Sequence, residues 1–537
     1  MIDVDVTGYE GKWVALAWDG GTIWGAGETA ELALEAGRAA APRARLRPWF
    51  VEPKGGKALV LAEELAALRP LLVQQTRPIF LVGGAVRDAL LGRVSHDLDF
   101  VVPKEAIKIA YRLGDQLGKP TYIMDKERDV ARIMAGEGID LARYRGEGGL
   151  EGDLRARDFT VNAMALPVMA TTRAGVIDPC GGMGDLEAKV IRLAYGEAFV
   201  DDPVRMIRAA RQAIQLGFEV AEETVVAIKE ALGLFDKPSP ERIRDELLKL
   251  IKGNGAPLGL EWLQKWGVLA AVWPELEALA GVEQSEPHHE DVWRHTVAVM
   301  RWVLVVEAAV GGEGDADLVD AVGDWGEQIE AHWERPVDGG LNGHILFRLG
   351  ALFHDVGKKA TQTVEADTGR IRFFKHDQVG AEVAEGVMRH YRMSRAGQAG
   401  VAAIVAGHMR PLLLSGEERV TRRAAFRFFK QTGEAGLDIC LLSVADYLAT
   451  YGGRGEVENW ERLLGTVRTL LRFYFEEQET VVNPPPLLDG RQVMKLLKMA
   501  PGPQVGEVLL GLQEAQAVGE VMTVEEATAW VLAWGSD

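Results

Sequence analysis

The hydrophobic pattern of the chain changes near residue 201, and this change limits the folds that are open to it. Between Arg77 and Gly196, short β-like runs such as PIFLVGG, LDFVV and GIDLARYR alternate with a few helices. From Asp201 onward, apolar residues recur at helical spacing almost throughout. The pattern predicts an α+β protein in which a small head with a mixed sheet precedes a helical neck, a helical domain and a helical tail.

Domain boundaries follow from the same pattern, because 537 residues are too many for one ordinary domain. A hairpin, a helix and a final strand predict a small accessory unit at the start of the chain. A segment with ten acidic residues and one basic residue is predicted as an insertion between two helices. The predicted segments are 1–53 (accessory unit), 54–75 (linker helix), 76–200 (head), 201–280 (neck), 281–455 (helical domain, with the acidic insertion 307–338) and 456–537 (tail).

Composition excludes several classes of protein. Cys180 and Cys440 are too few for a disulfide framework, which favours a reducing compartment. No run of eighteen apolar residues and no signal-peptide pattern occurs, so we expect a cytoplasmic protein that crosses no membrane. The net charge of −19 disfavours nucleic acid, yet residues 410–430 hold six basic and two acidic residues. A local basic surface that binds nucleic acid is therefore compatible with the negative net charge of the whole chain.

The stretch FLVGGAVRDALLGRVSHDLDFVV combines glycines, an arginine and paired acids. Gly83 and Gly84 lie between a buried-type strand and the start of a helix, where backbone can approach a phosphate, and Arg87 offers a fork for a triphosphate oxygen. Asp97 and Asp99 are two residues apart in the next strand and therefore project from one face. Side-by-side carboxylates suit two Mg²⁺ ions, which would activate a hydroxyl nucleophile and stabilise a leaving pyrophosphate.

These residues carry a family resemblance. GGAVRD and DLDFVV resemble the nucleotidyltransferase head of the polymerase β superfamily, in the form found in class II tRNA CCA-adding enzymes and bacterial poly(A) polymerases. DLRARDFTVNAMA is similar to the second motif of that family, which implies that Arg157 contacts nucleotide. IDPCGGMGDLEAKVIR and SPERIRDELLKL are similar to the stretches that close the head and continue into the neck. Asp140 is a candidate third acid near the metals.

The segment DDPVRMIRAARQA is similar to the helix with which that family selects nucleotides. Asp202, Arg205, Arg208 and Arg211 recur at three-residue steps, which predicts neighbours on a helix surface; a self-paired, solvent-facing helix is the alternative. An Asp accepts from the exocyclic amino group of cytosine or adenine, and an Arg donates to the adjacent ring nitrogen. Guanine and uracil present the reverse pattern and leave both side chains unpaired. Asp202 and Arg205 therefore predict that C and A are accepted, while Arg208 and Arg211 are expected to hold phosphates or brace the pocket.

Imidazoles and carboxylates recur across the helical half in the order H…HD…H…H…D. This order suits a site for one or two metal ions and resembles the HD family of metal phosphohydrolases. The resemblance implies a divalent transition metal or Mg²⁺, and hydrolysis of cyclic phosphates or phosphomonoesters as a second activity to test. His288 and His289 are expected to line the site or its rim. The expected ligands are His295, His354, Asp355, His376, His408 and Asp446.

The basic stretch 410–430 interleaves arginines with Phe426, Phe428 and Phe429. It predicts an amphipathic helix with a buried Phe face, whose Arg face could also carry tRNA phosphates. The tail resembles the C-terminal module of longer members of the family and is predicted to contact the tRNA backbone.

The resemblance, which spans roughly residues 76–530, implies an Mg²⁺-dependent enzyme that adds CMP and AMP from CTP and ATP to the 3′ end of tRNA and so builds the CCA end. A CC-adding enzyme, an A-adding enzyme and a poly(A) polymerase are alternatives with the same chemistry. Two alternatives of another class are an HD-type phosphohydrolase and an RNA-binding protein with an inactive head.

Overall fold

The computed structural model describes residues 4–322, 325–338 and 340–534. Residues 1–3, 323, 324, 339 and 535–537 of the predicted segments lie outside the described residues. The chain forms two compact units, Met1–Leu234 and Phe235–Asp537. Among the described residues, no helix combines the length and the apolar character that crossing a bilayer requires.

The N-terminal part of the first unit is a three-stranded sheet, in the order β2-β1-β3, with one helix packed against it. The helix lies close to the sheet because the facing strand carries glycine: a Cβ on Gly25 would lie 2.3 Å from the backbone nitrogen of Gly37. The helix begins where the Thr29 side chain accepts from the Leu32 N–H. The elements are β1 (Trp13–Ala17), β2 (Ile23–Gly27), α1 (Ala30–Ala40) and β3 (Leu46–Phe50).

This N-terminal sheet shares a hydrophobic core with the segment that follows it. The Trp13 ring lies 5.3 Å from the rings of both Phe50 and Phe80, measured between centroids. The Glu52 carboxylate accepts hydrogen bonds from the backbone and hydroxyl groups of Thr171 and Thr172 at 2.7–3.1 Å. Aromatic packing and a set of hydrogen bonds therefore join residues near the start of the chain to the head.

The head is built on a six-stranded sheet in the order β6-β7-β8-β5-β4-β9. The pair β5–β8 is parallel and the other neighbours are antiparallel, so the predicted mixed sheet is confirmed. Helix α4 packs on one face, over β7 and β8. The elements up to the last strand of this sheet are α2 (Glu63–Leu72), β4 (Phe80–Val82), α3 (Gly84–Leu90), β5 (Leu98–Val102), α4 (Ala106–Leu117), β6 (Thr121–Asp125), β7 (Val130–Ile133), β8 (Ile139–Arg143), α5 (Gly149–Arg155) and β9 (Ala165–Pro167).

Short helices and one small parallel sheet complete the first unit. Residues of β10 and β11 pair in parallel and bracket the helix that carries the predicted nucleotide-selecting arginines. The elements are α6 (Gly182–Ala188), β10 (Val190–Ile191), α7 (Ala198–Asp201), α8 (Arg205–Leu216), β11 (Glu219–Val220) and α9 (Glu222–Ala231).

The second unit is almost entirely helical, which confirms the predicted fold class. Side chains at several helix starts accept from the first free backbone N–H groups, among them Asp291, Asn342, Ser394, Thr421 and Asp489. The elements are α10 (Pro240–Lys252), α11 (Ala256–Trp266), α12 (Val268–Val272), α13 (Pro274–Glu277), α14 (Val292–Val310), α15 (Ala316–Val322), α16 (Gly326–Glu334), β12 (Pro336–Asp338), β13 (Leu341–Asn342), α17 (Gly343–Phe353), α18 (Lys358–Thr361), β14 (Gln362–Val364), β15 (Ile371–Phe373), α19 (His376–His390), α20 (Arg395–Gly407), α21 (Arg410–Leu414), α22 (Arg422–Thr432), α23 (Gly436–Tyr451), α24 (Val457–Glu476), α25 (Gly490–Leu497), α26 (Pro503–Ala517) and α27 (Val524–Trp534).

The acidic segment 307–338 is more ordered than an inserted loop would be, since α15 and α16 lie within it. Its first residue, Glu307, is still part of α14 and binds the buried guanidinium of Arg348. Arg348 also donates to the backbone carbonyl oxygens of residues 251–253, at the end of α10, at 2.8–3.1 Å. This acid is therefore part of the core of the second unit.

Candidate active site and metal centre

The predicted phosphate turn lies between β4 and α3. Gly83 has φ +73°, in the left-handed region that favours glycine. A Cβ at this position would lie 3.1 Å from Nη1 of Arg157 and 3.7 Å from Oδ2 of Asp99. The turn, the arginine of the second motif and an acid of the first motif therefore come together, although 74 residues of sequence separate Gly83 from Arg157.

The paired acids lie at the start of β5: Asp97 immediately precedes the strand and Asp99 is its second residue. Asp97 is exposed and Asp99 is half-buried. Burial and the neighbouring Asp97 carboxylate raise the pKa of Asp99 to about 6. The negative charges of the two carboxylates repel each other. A divalent cation bound between them would remove this repulsion, so the pair suits a divalent-cation site. Asp140 lies directly opposite Asp99 on β8, where Arg132 binds it at 2.6–2.7 Å.

Arg87 is held on two sides. It donates to the Asp88 carboxylate at 2.8 and 3.0 Å and to Oδ1 of Asn162 at 2.8 Å. Gly84 lies beside the same guanidinium, since a Cβ there would approach it to 3.4 Å. Arg157 is fixed in a similar way by Asp153, a fully buried carboxylate, at 3.1–3.2 Å. Both arginines are therefore preorganised beside the glycine turn.

The predicted arrangement of the nucleotide-selecting residues needs one correction. Asp202 is not on the same helix as Arg205, because it follows α7 with φ −149° and ψ 93°, and α8 begins at Arg205. Pro203 is the reason, since a residue that precedes proline is pushed out of the helical region. Arg205 is buried rather than at the helix surface, and it donates to the carbonyl oxygens of Ala156 and Ala198 at 3.2 and 3.3 Å.

Arg208 and Arg211 lie further along α8 and have different environments. Arg208 donates to the Asp158 carboxylate at 3.1 Å. Burial acts to raise the pKa of Asp158, but the Arg208 charge and the hydrogen bond from Asn162 hold it below its ordinary value. Arg211 is half-buried and donates to Gln215 on its own helix at 3.2 Å. Arg208 therefore has a contact that braces α8 against the head.

A polar network that the sequence did not indicate joins α3 to α8. Asn162 accepts from Arg87, donates to Asp158 at 3.0 Å, and donates to Gln212 at 2.9 Å. Gln212 lies on α8, one turn beyond Arg208. The amide side chains of Asn162 and Gln212 therefore link the predicted phosphate turn to the predicted nucleotide-selecting helix. In the sequence, Asn162 stands out only because it lies inside the second motif, and Gln212 only because it lies in the segment that forms α8.

In the second unit, the predicted metal ligands converge from separate helices. Nε2 of His295, on α14, lies 2.9 Å from Oδ1 of Asp446, on α23, and 3.6 Å from Oδ2 of Asp355. Nε2 of His354 lies 3.1 Å from the same Oδ2. His295, His354 and Asp355 thus bring ligand atoms within 4.8 Å of one another.

A second group of ligands meets the other oxygen of Asp355. Nε2 of His376 lies 3.4 Å from Oδ1 of Asp355, and Nε2 of His408 lies 3.8 Å from it. The two Nε2 atoms are 3.3 Å apart. One carboxylate therefore lies between two sets of imidazoles, and these two groups would suit one or two divalent ions.

The histidine rings are oriented by backbone carbonyl groups. Nδ1 of His354, His376 and His408 each lies 2.7–2.8 Å from the carbonyl oxygen three residues earlier. Nδ1 donates there, so in the neutral form of each ring Nε2 is the unprotonated atom that can bind a metal ion. Burial, followed by the charge of His354, lowers the pKa of His408 to about 4, which keeps that ring neutral. Nε2 of His354 is buried beside Oδ2 of Asp355 and, although the two atoms are 3.1 Å apart, their geometry is not that of a hydrogen bond; an ion would satisfy both atoms.

A cavity of about 380 Å³ opens onto these ligands. Lys358 lies at its wall, 2.7 Å from Oδ2 of Asp355 and 2.6 Å from Oε1 of Gln284. His288 also lines it, and burial lowers the pKa of His288 to about 4. His289 is exposed and outside the lining. Neither Lys358 nor Gln284 stood out in the sequence, because isolated Lys and Gln residues carry no spacing signal.

The basic stretch forms α21 and α22. Phe426, Phe428 and Phe429 are buried, as the amphipathic interpretation predicts. The arginines of α22 bind acids of the following helices: Arg423 and Arg427 contact Glu514 at 2.7–3.0 Å. Much of this Arg face is therefore paired within the second unit.

Three protein families match the chain. Residues 79–192 match the poly(A) polymerase head domain, residues 217–279 match the probable RNA- and SrmB-binding site of polymerase A, and residues 337–451 match the HD domain.

Two similar proteins and one solved structure extend over most of the chain. An A-adding tRNA nucleotidyltransferase of Deinococcus radiodurans is 36% identical over 85% of this chain and 95% of its own length. A CC-adding tRNA nucleotidyltransferase of Thermus thermophilus is 34% identical over 85% of this chain and 93% of its own length. The structure of a CCA-adding enzyme with CTP has the same fold, with a TM-score of 0.58 and 22% identity over 88% of this chain and 96% of that one.

Proposed function

Because the chain belongs to the tRNA nucleotidyltransferase and poly(A) polymerase family, we propose that it transfers CMP and AMP from CTP and ATP to the 3′ end of tRNA and releases pyrophosphate. The observation that carries the proposal is that a Cβ at Gly83 would lie 3.1 Å from Nη1 of Arg157 and 3.7 Å from Oδ2 of Asp99. This geometry supports the proposal that the turn binds phosphate and that the carboxylate holds a metal ion, with the fixed Arg157 cation beside them. A cytoplasmic location stays a prediction.

The residues of the head have separate roles in the proposed reaction. The backbone of Gly83 and Gly84, with Arg87 and Arg157, would bind the triphosphate and stabilise the charge that develops on the leaving pyrophosphate. Asp97 and Asp99 would hold two divalent ions, for which Mg²⁺ is the proposed identity. When bound, such ions supply Lewis-acid polarisation of the phosphate and a lowered pKa of the attacking hydroxyl group.

Nucleotide choice is proposed to reside in Asp202 and Arg205. Arg205 is buried and braced by two backbone carbonyl groups, so its guanidinium has a fixed direction. Asp158, through Arg208, anchors the helix that carries it. A fixed donor beside a carboxylate suits cytosine and adenine and leaves guanine and uracil with unpaired groups.

The test of the reaction is incorporation of labelled CTP and ATP into tRNA that lacks its CCA end. We expect Asp97→Ala and Asp99→Ala to lose transfer by several orders of magnitude, because the metal ions lose their ligands. Asp115→Ala, which removes an exposed acid from α4 of the same domain, should transfer at the wild-type rate. Transfer at the wild-type rate by either active-site variant would exclude the mechanism, and absence of transfer by the wild type would favour an RNA-binding role.

Complete CCA addition is the proposed outcome, and the similarity to both an A-adding and a CC-adding enzyme makes partial addition the competing one. Sequencing the products made from three tRNAs, ending before CCA, after C and after CC, separates these cases. Full addition extends all three to CCA. A CC-adding enzyme leaves the third unchanged, an A-adding enzyme extends only the third, and a poly(A) polymerase adds a run of A.

A second candidate activity is supported by the ligand groups that share Asp355 and by the cavity beside them. We propose that this site holds one or two divalent ions and hydrolyses phosphate esters, either cyclic phosphates or phosphomonoesters. His354→Ala should abolish phosphate release and leave nucleotide transfer intact, whereas Asp97→Ala should do the opposite. Equal loss of both activities in either variant would contradict two separate sites.

A further inference from the structure

One row of side chains crosses the head sheet from the catalytic acids to its edge. Asp99 on β5 is opposite Asp140 on β8, Asp140 is opposite Arg132 on β7, and Arg132 is opposite Tyr122 on β6. Residues in register on neighbouring strands project from the same face of a sheet. Tyr122 therefore lies on the catalytic face, three strands and about 14 Å from Asp99 at the usual strand spacing.

The opposite face of β7 and β8 is covered. Ala131, Ile133 and Leu141 alternate with the residues of the row and are completely buried, under α4. On the edge strand β6, Tyr122 faces the catalytic side and is 58% exposed, and Met134, which follows β7 two residues after Arg132, is 51% exposed. An aromatic ring and a thioether are thus left in solvent beside an active site, where large apolar groups are costly to expose.

The two substrates of the proposed reaction must lie on opposite sides of Asp99. The phosphate turn approaches Asp99 from the β4 side, since a Cβ at Gly83 would lie 3.7 Å from Oδ2 of Asp99. The leaving and attacking oxygens of a phosphoryl group are roughly in line. If pyrophosphate leaves towards the β4 side, the attacking hydroxyl group of the acceptor arrives from the side of β8, β7 and β6. This step rests on the proposed function.

We propose that Tyr122, with Met134 beside it, is a stacking platform for the single-stranded 3′ end of the RNA acceptor. An aromatic side chain next to a cationic one binds unpaired bases through their faces without selecting a sequence. This suits an acceptor whose terminal base changes with each addition. Tyr122 is in this view a positioning residue that holds the nucleotides just before the reactive hydroxyl group.

Features of the edge strand favour RNA over a second copy of the chain as the occupant. The exposed Lys119 and Lys126 flank β6, and the register between β6 and β7 shifts between Ile123 and Asp125. Lysines and a register irregularity at an edge oppose strand-to-strand pairing. The same lysines attract phosphates.

The test compares Tyr122→Ala and Tyr122→Phe in the full chain. Ile123→Ala is the matched control, because Ile123 is exposed on the same strand but is opposite the buried Ala131. The probe is a tRNA that lacks its CCA end and carries 2-aminopurine at its 3′ terminus. We expect Tyr122→Ala to raise the KM for this tRNA on the order of ten-fold, with the KM for CTP unchanged, and to lose the fluorescence quenching on binding. Tyr122→Phe should keep the wild-type KM for the tRNA and the fluorescence quenching on binding.

Three results would overturn the proposal. The first is an unchanged tRNA KM and unchanged quenching in Tyr122→Ala. The second is an equal effect of Ile123→Ala, which would indicate a general disturbance of the edge strand. The third is a dimer in light scattering that Tyr122→Ala dissociates, which would assign the platform to a second copy. Quenching is measured without CTP or ATP, so it tests the platform even if the chain transfers no nucleotide.

Discussion

At the scale of single residues, Asp99 is placed where its charge is unfavourable. Burial and the carboxylate of Asp97 both raise its pKa, to about 6, above its ordinary value of 3.8. Between these two values the folded state binds more protons than the unfolded state, so stability falls as pH rises through this range. Above pH 6 the folded protein carries the full cost of the charge. The residue that the proposed chemistry needs is therefore one that weakens the fold at neutral pH.

We predict that Asp99→Asn abolishes nucleotide transfer and stabilises the protein. At pH 8, in the absence of divalent ions, the free energy of unfolding should rise by roughly 2–3 kcal/mol. The gain should shrink as pH falls from about 7 to about 4, because the wild-type carboxyl group becomes protonated. Thermal melts over this pH range, with Asp115→Asn as the control, check this. Equal melting temperatures of wild type and Asp99→Asn at pH 8 would contradict it.

At the scale of elements, the turn between β4 and α3 depends on one glycine. Gly83 has a positive φ, and its α-carbon faces Arg157 and Asp99. Any side chain at this position would strain the backbone and would also crowd the Arg157 guanidinium and the Asp99 carboxylate. The turn is therefore restricted by its own conformation and by what must lie next to it.

We predict that Gly83→Ala raises the KM for CTP by ten-fold or more, because the added methyl group displaces the Arg157 guanidinium from the phosphate position. The strain of a positive φ should cost about 1 kcal/mol in stability. Steady-state kinetics and circular dichroism separate the two effects. Gly92→Ala, at an exposed turn with φ +75° and open space around it, carries the same strain and is the control. A similar KM for CTP in Gly83→Ala and Gly92→Ala would contradict the proposed displacement of Arg157.

The C-terminal end of α10 is stabilised by a buried arginine from another helix. Arg348 is buried and donates to three carbonyl groups there while it pairs with Glu307. We predict that Arg348→Met lowers the free energy of unfolding of the second unit by about 3–5 kcal/mol, since the Glu307 carboxylate is left buried without its main partner. Denaturant unfolding checks this. Arg389→Met, which removes an exposed arginine from α19, should change stability by less than about 1 kcal/mol.

At the scale of the whole molecule, local signals predicted most of what the structure contains. The strands of the head, the helical second unit and the order of the candidate metal ligands follow from periodicity and motifs, which act over short stretches. Asp202 departs from its predicted helix because the proline after it outweighs the three-residue spacing. The Asn162 network, Lys358 and the contact between Trp13 and Phe80 depend on residues far apart in the sequence, where no periodic pattern is available.

The N-terminal sheet provides the prediction at this scale. We predict that Trp13→Ala destabilises the first unit by about 3–5 kcal/mol, because it leaves a cavity against Phe80 and Phe50. Removal of residues 1–53 should therefore yield a head that aggregates or binds a hydrophobic dye. Trp24→Ala, at a ring that is 41% exposed, should change stability much less. A truncated protein that melts at the wild-type temperature would show that the shared core is dispensable.

The contact between Trp13 and Phe80 also has an evolutionary consequence. Phe80 belongs to the strand that leads directly into the phosphate turn, and its packing partner lies on a segment that precedes the matched head domain. Once a lineage relies on this tryptophan to cover the strand, loss of the segment requires a simultaneous replacement at Phe80 or its neighbours. A segment that covers Phe80 in this way would be hard to lose, because its removal exposes the strand that leads into the turn.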